Sequence, residues 1–186
     1  MKRFLSILKP ALLCFALLTL LCGVVYTAAV TGVAQLVFPG RANGSVITIT
    51  LKDGSQKEYG SSLIPQEFTK TEYLIGRPLG TSNLSATSEE QKALVQERID
   101  WWRAFDPGNA AKIPLDLVTA SGSGVDPHIT PEAAEYQVKR VAGARGMEED
   151  MVRSVIRQHT SGRFLSVFGE PAVNVLKVNL ALDGLL

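Results

Sequence analysis

From Pro10 to Gly40 the chain carries no charged side chain, and this run is fenced by Lys2, Arg3 and Lys9 before it and by Arg41 after it. Within it, Ala11 to Val33 is almost wholly apolar. A helix rising about 1.5 Å per residue needs roughly 20 such residues to cross a hydrocarbon core. The run therefore predicts one transmembrane helix over residues 11–33, and no second stretch of that kind follows. A cleaved secretory signal, cut near the small residues Thr27 and Ala29, fits less well, because the apolar block exceeds the roughly 7–15 residues of a signal core. Lipoprotein processing fits less still, since Cys14 and Cys22 each follow a leucine.

The flanking charges set an orientation. Three cations within the first nine residues place residues 1–10 in the cytoplasm by the positive-inside rule. Residues 34–186 then form the extracytoplasmic domain of a single-pass membrane protein. Both cysteines fall inside the span, so no disulfide can staple the outer domain in an oxidising compartment. The roughly 145 residues from Arg41 onward are enough to bury a core of their own. Taking the three N-terminal cations from the 19 in the chain leaves 16 against 18 acids, a formal charge of −2. That balance gives no sign of a nucleic-acid footprint, and the span places the chain in contact with membrane lipid.

Local patterns give the domain its class. Val46, Thr48 and Thr50 alternate with Ile47, Ile49 and Leu51 ahead of Asp53 and Gly54, and a polar run continues to Tyr59. Asp-Gly between such runs is a hairpin signal. Residues 64–87, broken by Pro65, Gly76, Pro78 and Gly80, read as ordered loop. Ser88 followed by Glu89 to Phe105 reads as a helix ended by Pro107. Thr130, Pro131 and Glu132 give a capping hydroxyl, a proline at the first helical position and an acid at the positive helix end. That helix should run to Arg145 and stop at Gly146. Met151, Val152, Val155 and Ile156 repeat a helical period over residues 148–159. Residues 173–182, rich in valine and leucine, read as a late buried strand. The sum is a mixed α/β extracytoplasmic domain anchored by one N-terminal transmembrane helix.

The reactive side chains gather between Pro114 and Pro131. Ser121 or Ser123, with His128 and either Asp126 or Asp116, supply the ingredients of a membrane-anchored extracytoplasmic serine hydrolase, which needs a base within reach of the hydroxyl and an acid to orient it. No G-x-S-x-G elbow accompanies them, and a Ser/Gly loop before a helix is ordinarily a capped turn. Ser121 to Gly124 could present amides to a phosphate, but the lysine and spacing of a P-loop are missing. His128 and His159 are the only histidines, and neither shares a close metal-ligand motif with a second histidine or a cysteine. No catalytic or metal set is assigned. Adjacent Trp101 and Trp102 point about 100° apart on a helix, one into the core and one towards its edge. In the span, Thr19, Gly23, Thr27 and Thr31 place small residues along one stripe, a face that lets transmembrane backbones approach closely.

Several segments, in order, resemble the C subunit of the Kdp-type potassium-transporting ATPase, and the resemblance covers nearly the whole chain. It runs through the span, then Phe38 and Pro39, Ala42 to Ser45, Gly60 to Ile64, Gln66, Phe68, Tyr73, Arg77 and Pro78, and Ser82 to Leu84. It continues through Pro114 to Gly124, Asp126, Pro131, Ala133, Ala134, Gln137, Arg140 to Ala142, Ala144 and Arg145. It closes on Gly169 to Pro171, Val173, Asn174 and Asn179 to Asp183. Pro65 and Leu79 depart from the family pattern. The resemblance implies a non-catalytic, accessory subunit of a bacterial cell-membrane complex, beside a channel-like potassium-translocating subunit and a P-type ATP-hydrolysing subunit. It also implies a catalytic chaperone that raises ATP binding by the hydrolysing subunit, so ATP enters through that partner. The P-type Asp-Lys-Thr-Gly motif is absent from this chain. With the domain outside and nucleotide inside, the effect on ATP is expected to pass through assembly, and the domain to cap the outer potassium entrance. Asn83, Asp116, Ser121, Asp126 and His128 are the candidate contacts to partners or to the ion entrance.

Overall fold

This computed structural model describes residues 2–81 and 83–186; Ser82, part of the matched Ser82 to Leu84 segment, lies outside the described residues, as does Met1 of the N-terminal segment. The chain divides into two compact units, Met1–Val46 and Ile47–Leu186. The first is helical: α1 (Lys2–Thr19), a π-helical stretch Leu20–Tyr26, α2 (Thr27–Val37) and the short α3 (Pro39–Ala42). Ser6–Val37 is long and apolar enough to cross a membrane, with a mean hydropathy of 2.3 in its most apolar window and no residue of that window buried. A helix so apolar on every side fits membrane anchoring. Thr27 Oγ1 donates to the Cys22 carbonyl, five residues back, at 3.0 Å. This bond matches the wider π turn and ties off a carbonyl that lipid could not satisfy.

The second unit contains β1 (Val46–Thr50), whose first residue closes the preceding unit, and β2 (Gln56–Ser61), followed by α4 (Glu89–Phe105). After a 3₁₀ turn at Leu115–Leu117 come β3 (His128–Ile129), α5 (Pro131–Arg145), α6 (Glu149–Gln158), β4 (Thr160–Ser161), β5 (Ala172–Asn174) and α7 (Val175–Leu182). The Asp53-Gly54 hairpin forms as expected, with β1 and β2 making a two-stranded sheet. Helix starts follow their caps: Ser88 accepts from Gln91 N at 3.2 Å and Thr130 from Ala133 N at 3.1 Å. Gly146 ends α5 in the left-handed region at φ 62°, where a side chain would be strained.

One expectation is corrected. Residues 173–182 are not one strand: β5 ends at Asn174 and the remainder is α7. Short apolar runs do not distinguish a buried strand from a buried helix. Here Asn174 decides, because its side chain accepts from Lys177 N at 3.1 Å and starts a helix. That helix is apolar on nearly every side, with Leu176, Val178, Leu180 and Leu182 all buried.

Three antiparallel strands in the order β3-β5-β4 form the second sheet. Helices α5 and α7 pack on its central strand β5, and α6 packs on both helices. Val138, Val141, Val152, Val173 and Val178 are wholly excluded from solvent. Of the two tryptophans, Trp102 is 2% exposed and Trp101 44%, which matches the split expected of adjacent helical positions.

The loop at residues 71–77 has no regular structure, yet Leu74 is fully buried. Its backbone is held by side chains from distant helices. Asn179 accepts from Leu74 N at 2.8 Å and donates to Leu74 O at 3.0 Å. Gln137 grips Ile75 in the same two-handed way, at 2.8 and 3.0 Å. Arg140 donates to the carbonyls of Thr71 and Tyr73, and Arg145 to that of Glu72 at 2.7 Å. Burial pushes the Arg140 guanidinium down to about 10, still charged at neutral pH, and the group lies over Phe105 at 4.9 Å. Tyr73 is pushed up by burial and by its hydrogen bond to Asp183.

Candidate functional site

The segment from Pro114 to Pro131 wraps past the start of α5, and most of its polar side chains are engaged within the domain. Asp116 is 6% exposed. Its carboxylate accepts from Thr130 N at 2.6 Å and from Thr130 Oγ1 at 3.2 Å, and so braces the residue that caps α5. Ser121 and Ser123 lie in a turn with their hydroxyls 3.1 Å apart. Ser121 Oγ accepts from Gly124 N and Ser123 Oγ from Val125 N, at 3.0 and 3.2 Å. Gly124, at φ 69°, is there because a side chain would meet the Gly80 backbone at 2.7 Å. At this close approach Gly80 N donates to Gly124 O at 3.0 Å. Of the amides from Ser121 to Gly124, that of Gly124 is already bonded, to Ser121 Oγ and to the Ser121 carbonyl. Asn83 is exposed in the loop ahead of α4.

His128 has both ring nitrogens committed. Nδ1 faces Asp126 Oδ1 at 3.4 Å, and Asp126 is itself fixed by His128 N at 3.0 Å. Nε2 faces Asn174 Nδ2 at 3.3 Å. An amide NH₂ can only donate, so Nε2 acts as the acceptor and the ring proton sits on Nδ1, towards the carboxylate. A hydrolase would need that Nε2 lone pair for a serine hydroxyl. Neither Ser121 nor Ser123 hydrogen-bonds His128. Asp126 and His128 are therefore brought together, whereas the serines form a separate turn and Asp116 a separate brace.

Asp126 also lines a cleft of about 400 Å³ with Arg77, Arg98, Trp101 and Phe68. Its wall is built from three donors on three successive carbonyls. Trp102 Nε1 donates to Leu117 O at 3.0 Å, Arg98 Nη1 to Val118 O at 3.0 Å and Arg77 Nη2 to Thr119 O at 3.4 Å. The end of the 3₁₀ turn is thus capped by side chains. Arg77 Nε is buried without a hydrogen-bond partner. Arg98 was not singled out in the sequence, although it stands one helical turn before Trp102 and so shares its face. Two guanidiniums, one carboxylate and indole edges can recognise a polar group. They include no paired nucleophile and base.

A second cleft, of about 320 Å³, is lined by His128, His159 and Lys177. Burial and the Lys177 charge hold His159 below its ordinary value, so it is neutral at pH 7. Among the described residues, no group of three or more His, Cys, Asp or Glu side chains is arranged to hold a metal ion.

In the helical unit, Thr19 ends α1, Gly23 lies within the π stretch, and Thr27 and Thr31 lie on α2. All four are exposed, and a side chain added at Gly23 would meet nothing within 4 Å. The stripe is uncovered within this chain, as are the other faces of the helix.

Comparison with known proteins bears on the whole chain. The family described as the K⁺-transporting ATPase, c chain, matches residues 8–184. A potassium-transporting ATPase KdpC subunit from Listeria welshimeri is 55% identical over 100% of this chain and 99% of its own length. Those of Polaromonas naphthalenivorans and Clostridium perfringens are 50% and 46% identical, each over 97% of this chain and over 95% and 98% of their own lengths. With a single apolar N-terminal helix, a mixed α/β domain and a match along nearly its full length, the chain belongs to the KdpC family, as a subunit of a K⁺-transporting ATPase.

Proposed function

We propose that this chain is the accessory, assembly-stabilising subunit of a high-affinity, ATP-driven potassium uptake complex. Its span docks on partner helices through the stripe of Thr19, Gly23, Thr27 and Thr31. Its N-terminus lies in the cytoplasm, following the three leading cations, and its domain lies outside. There the domain caps the potassium entrance of a channel-like subunit. The P-type hydrolysing subunit carries the phosphorylated aspartate and the ATP. This chain raises effective ATP binding there by holding the complex together, without itself contacting nucleotide.

The observation that carries this reading is the engagement of the domain's reactive side chains with its own backbone and caps. His128 lies between Asp126 and Asn174, Asp116 braces Thr130, and the two serines close their own turn. Such a domain is built to present a fixed surface. Asn83, Ser121, Asp126 and His128 are the exposed or part-exposed candidates for meeting a partner or the ion path, whereas Asp116 is buried.

Deleting residues 46–186 while keeping the span should abolish potassium uptake at low external potassium. Purified complex carrying that deletion should show a raised apparent KM for ATP. Normal uptake by the truncated chain would sink the accessory reading.

A further inference from the structure

Between β4 and β5 the chain projects a hairpin that is apolar at its tip and exposed throughout. Phe164, Leu165, Val167 and Phe168 are 72, 71, 70 and 64% exposed. Taking an aromatic side chain at roughly 200 Å², the four present on the order of 500 Å² of apolar surface, within the range at which a patch on a monomer is often functional. Elsewhere in the domain, among the described residues, exposed large apolar side chains stand singly or, at Leu63 and Ile64, as a pair. Here four fall within five positions.

The hairpin is also held in shape. Phe164 N donates to Phe168 O at 2.8 Å, and Phe168 N to Phe164 O at 2.9 Å. Arg163 and Glu170 clasp its base at 2.7 Å. Leu165 and Ser166 both adopt left-handed backbone, at φ 51° and 61°. Two consecutive non-glycine residues in that region are uncommon and strained, and they form the turn of the hairpin. The hairpin leads into β5, whose Val173 is fully buried.

We infer that the 163–170 hairpin is a docking finger whose occupant is an uncharged apolar pocket on another subunit of the transporter complex. The family places this chain among partner subunits, and aromatic anchors set in pockets dominate such contacts. A pre-shaped finger loses little freedom on docking. A bilayer fits the segment less well. Surface-seeking segments combine apolar residues with free cations for anionic headgroups, whereas the one cation between residues 161 and 176 is Arg163, already paired with Glu170. The inference rests on the assembly reading above and adds to it the site of contact.

The test uses the full-length chain co-expressed with its complex in bacterial membranes, with Val167→benzoylphenylalanine as a photo-crosslinker and mass spectrometry of the adduct. The expected product joins this chain to another subunit. Adding Phe164→Ser and Phe168→Ser should cut its yield at least tenfold, while Leu115→Ser, an equally exposed apolar position outside the hairpin, should leave it unchanged. An adduct with lipid, an adduct with a second copy of this chain, or no adduct would each overturn the inference. Should the doubly substituted chain fail to fold, as judged by tryptophan emission, the adduct from Val167 alone decides. Failure here is separable from failure of the accessory reading, because loss of uptake on deleting residues 46–186 would uphold that reading whatever the crosslinker finds.

Discussion

Residues 71–77 and the hairpin at 163–170 invert the usual relation between regularity and burial. The first segment has no regular secondary structure, yet it carries fully buried Leu74. The second has a paired and turn-closed backbone, yet each of its residues is exposed. A buried loop is normally excluded by its unpaired N–H and C=O groups. Here Asn179 and Gln137 imitate a neighbouring strand, each offering one donor and one acceptor to a single residue. Burial in this domain follows the supply of distant polar partners more closely than it follows local backbone order. Gln137, Arg140, Arg145, Asn179 and Asp183, all within the segments that carry the family resemblance, work mainly as the clamps of that loop.

The comparison breaks most easily at Asn179. Asn179→Leu keeps the volume but leaves the Leu74 N–H and C=O unpaired inside the core. At about 1–3 kcal/mol for each unsatisfied group, the expected loss of stability is about 3 kcal/mol. Denaturant titration of the full chain in mild detergent, followed by tryptophan emission, measures it, since both tryptophans lie on α4. A loss below about 1 kcal/mol would mean that apolar packing of Leu74, and not the amide, holds the loop.

Asp116 gives the next largest effect and separates a brace from a contact. Asp116→Ala removes two bonds to Thr130, one of them to the backbone N–H that precedes α5. With charged hydrogen bonds worth about 1.5–3 kcal/mol, a loss of about 2 kcal/mol is expected, and Asp116→Asn should recover part of it. Uptake should follow stability across the two variants. Full stability with lost uptake would instead return Asp116 to the ion entrance or a partner surface.

How much of this was legible depended on how local the cause was. The apolar run, the Asp53-Gly54 hairpin, the Ser88 and Thr130 caps and the Gly146 stop all act within a few residues, and each produced the expected element. Residues 173–182 read as strand from their composition, whereas the determinants of the helix at 175–182 are a side-chain cap at Asn174 and a partner for Asn179 that lies 105 residues away. Strands of two residues, β3 and β4, are too short for any period. At the candidate site, the pairing of Asp126 with His128 follows from their spacing of two. The burial of Asp116 does not, since Thr130 is 14 residues on. The cleft formed by Arg77, Arg98 and Trp101 joins separate parts of the chain and leaves no local signature. Phe164 to Phe168 shows the opposite case, since a short apolar run ordinarily reads as core and here it lies outside.

That exposure sets the smallest prediction and the sharpest one. If burial follows partners, a segment with no partner inside the domain contributes almost nothing to the domain's own stability. Phe164→Ser with Phe168→Ser removes two aromatic rings, a change that in a core would cost several kcal/mol. At 72 and 64% exposure, it should move the unfolding midpoint by no more than about 0.5 kcal/mol, the ordinary range for surface substitutions. The same titration used for Asn179 reads it directly. A loss above about 1 kcal/mol would show that the rings shield something within the domain, and the contrast between clamped loop and free hairpin would fail. A neutral result leaves four exposed apolar side chains without a structural task in this chain, so their task lies outside it.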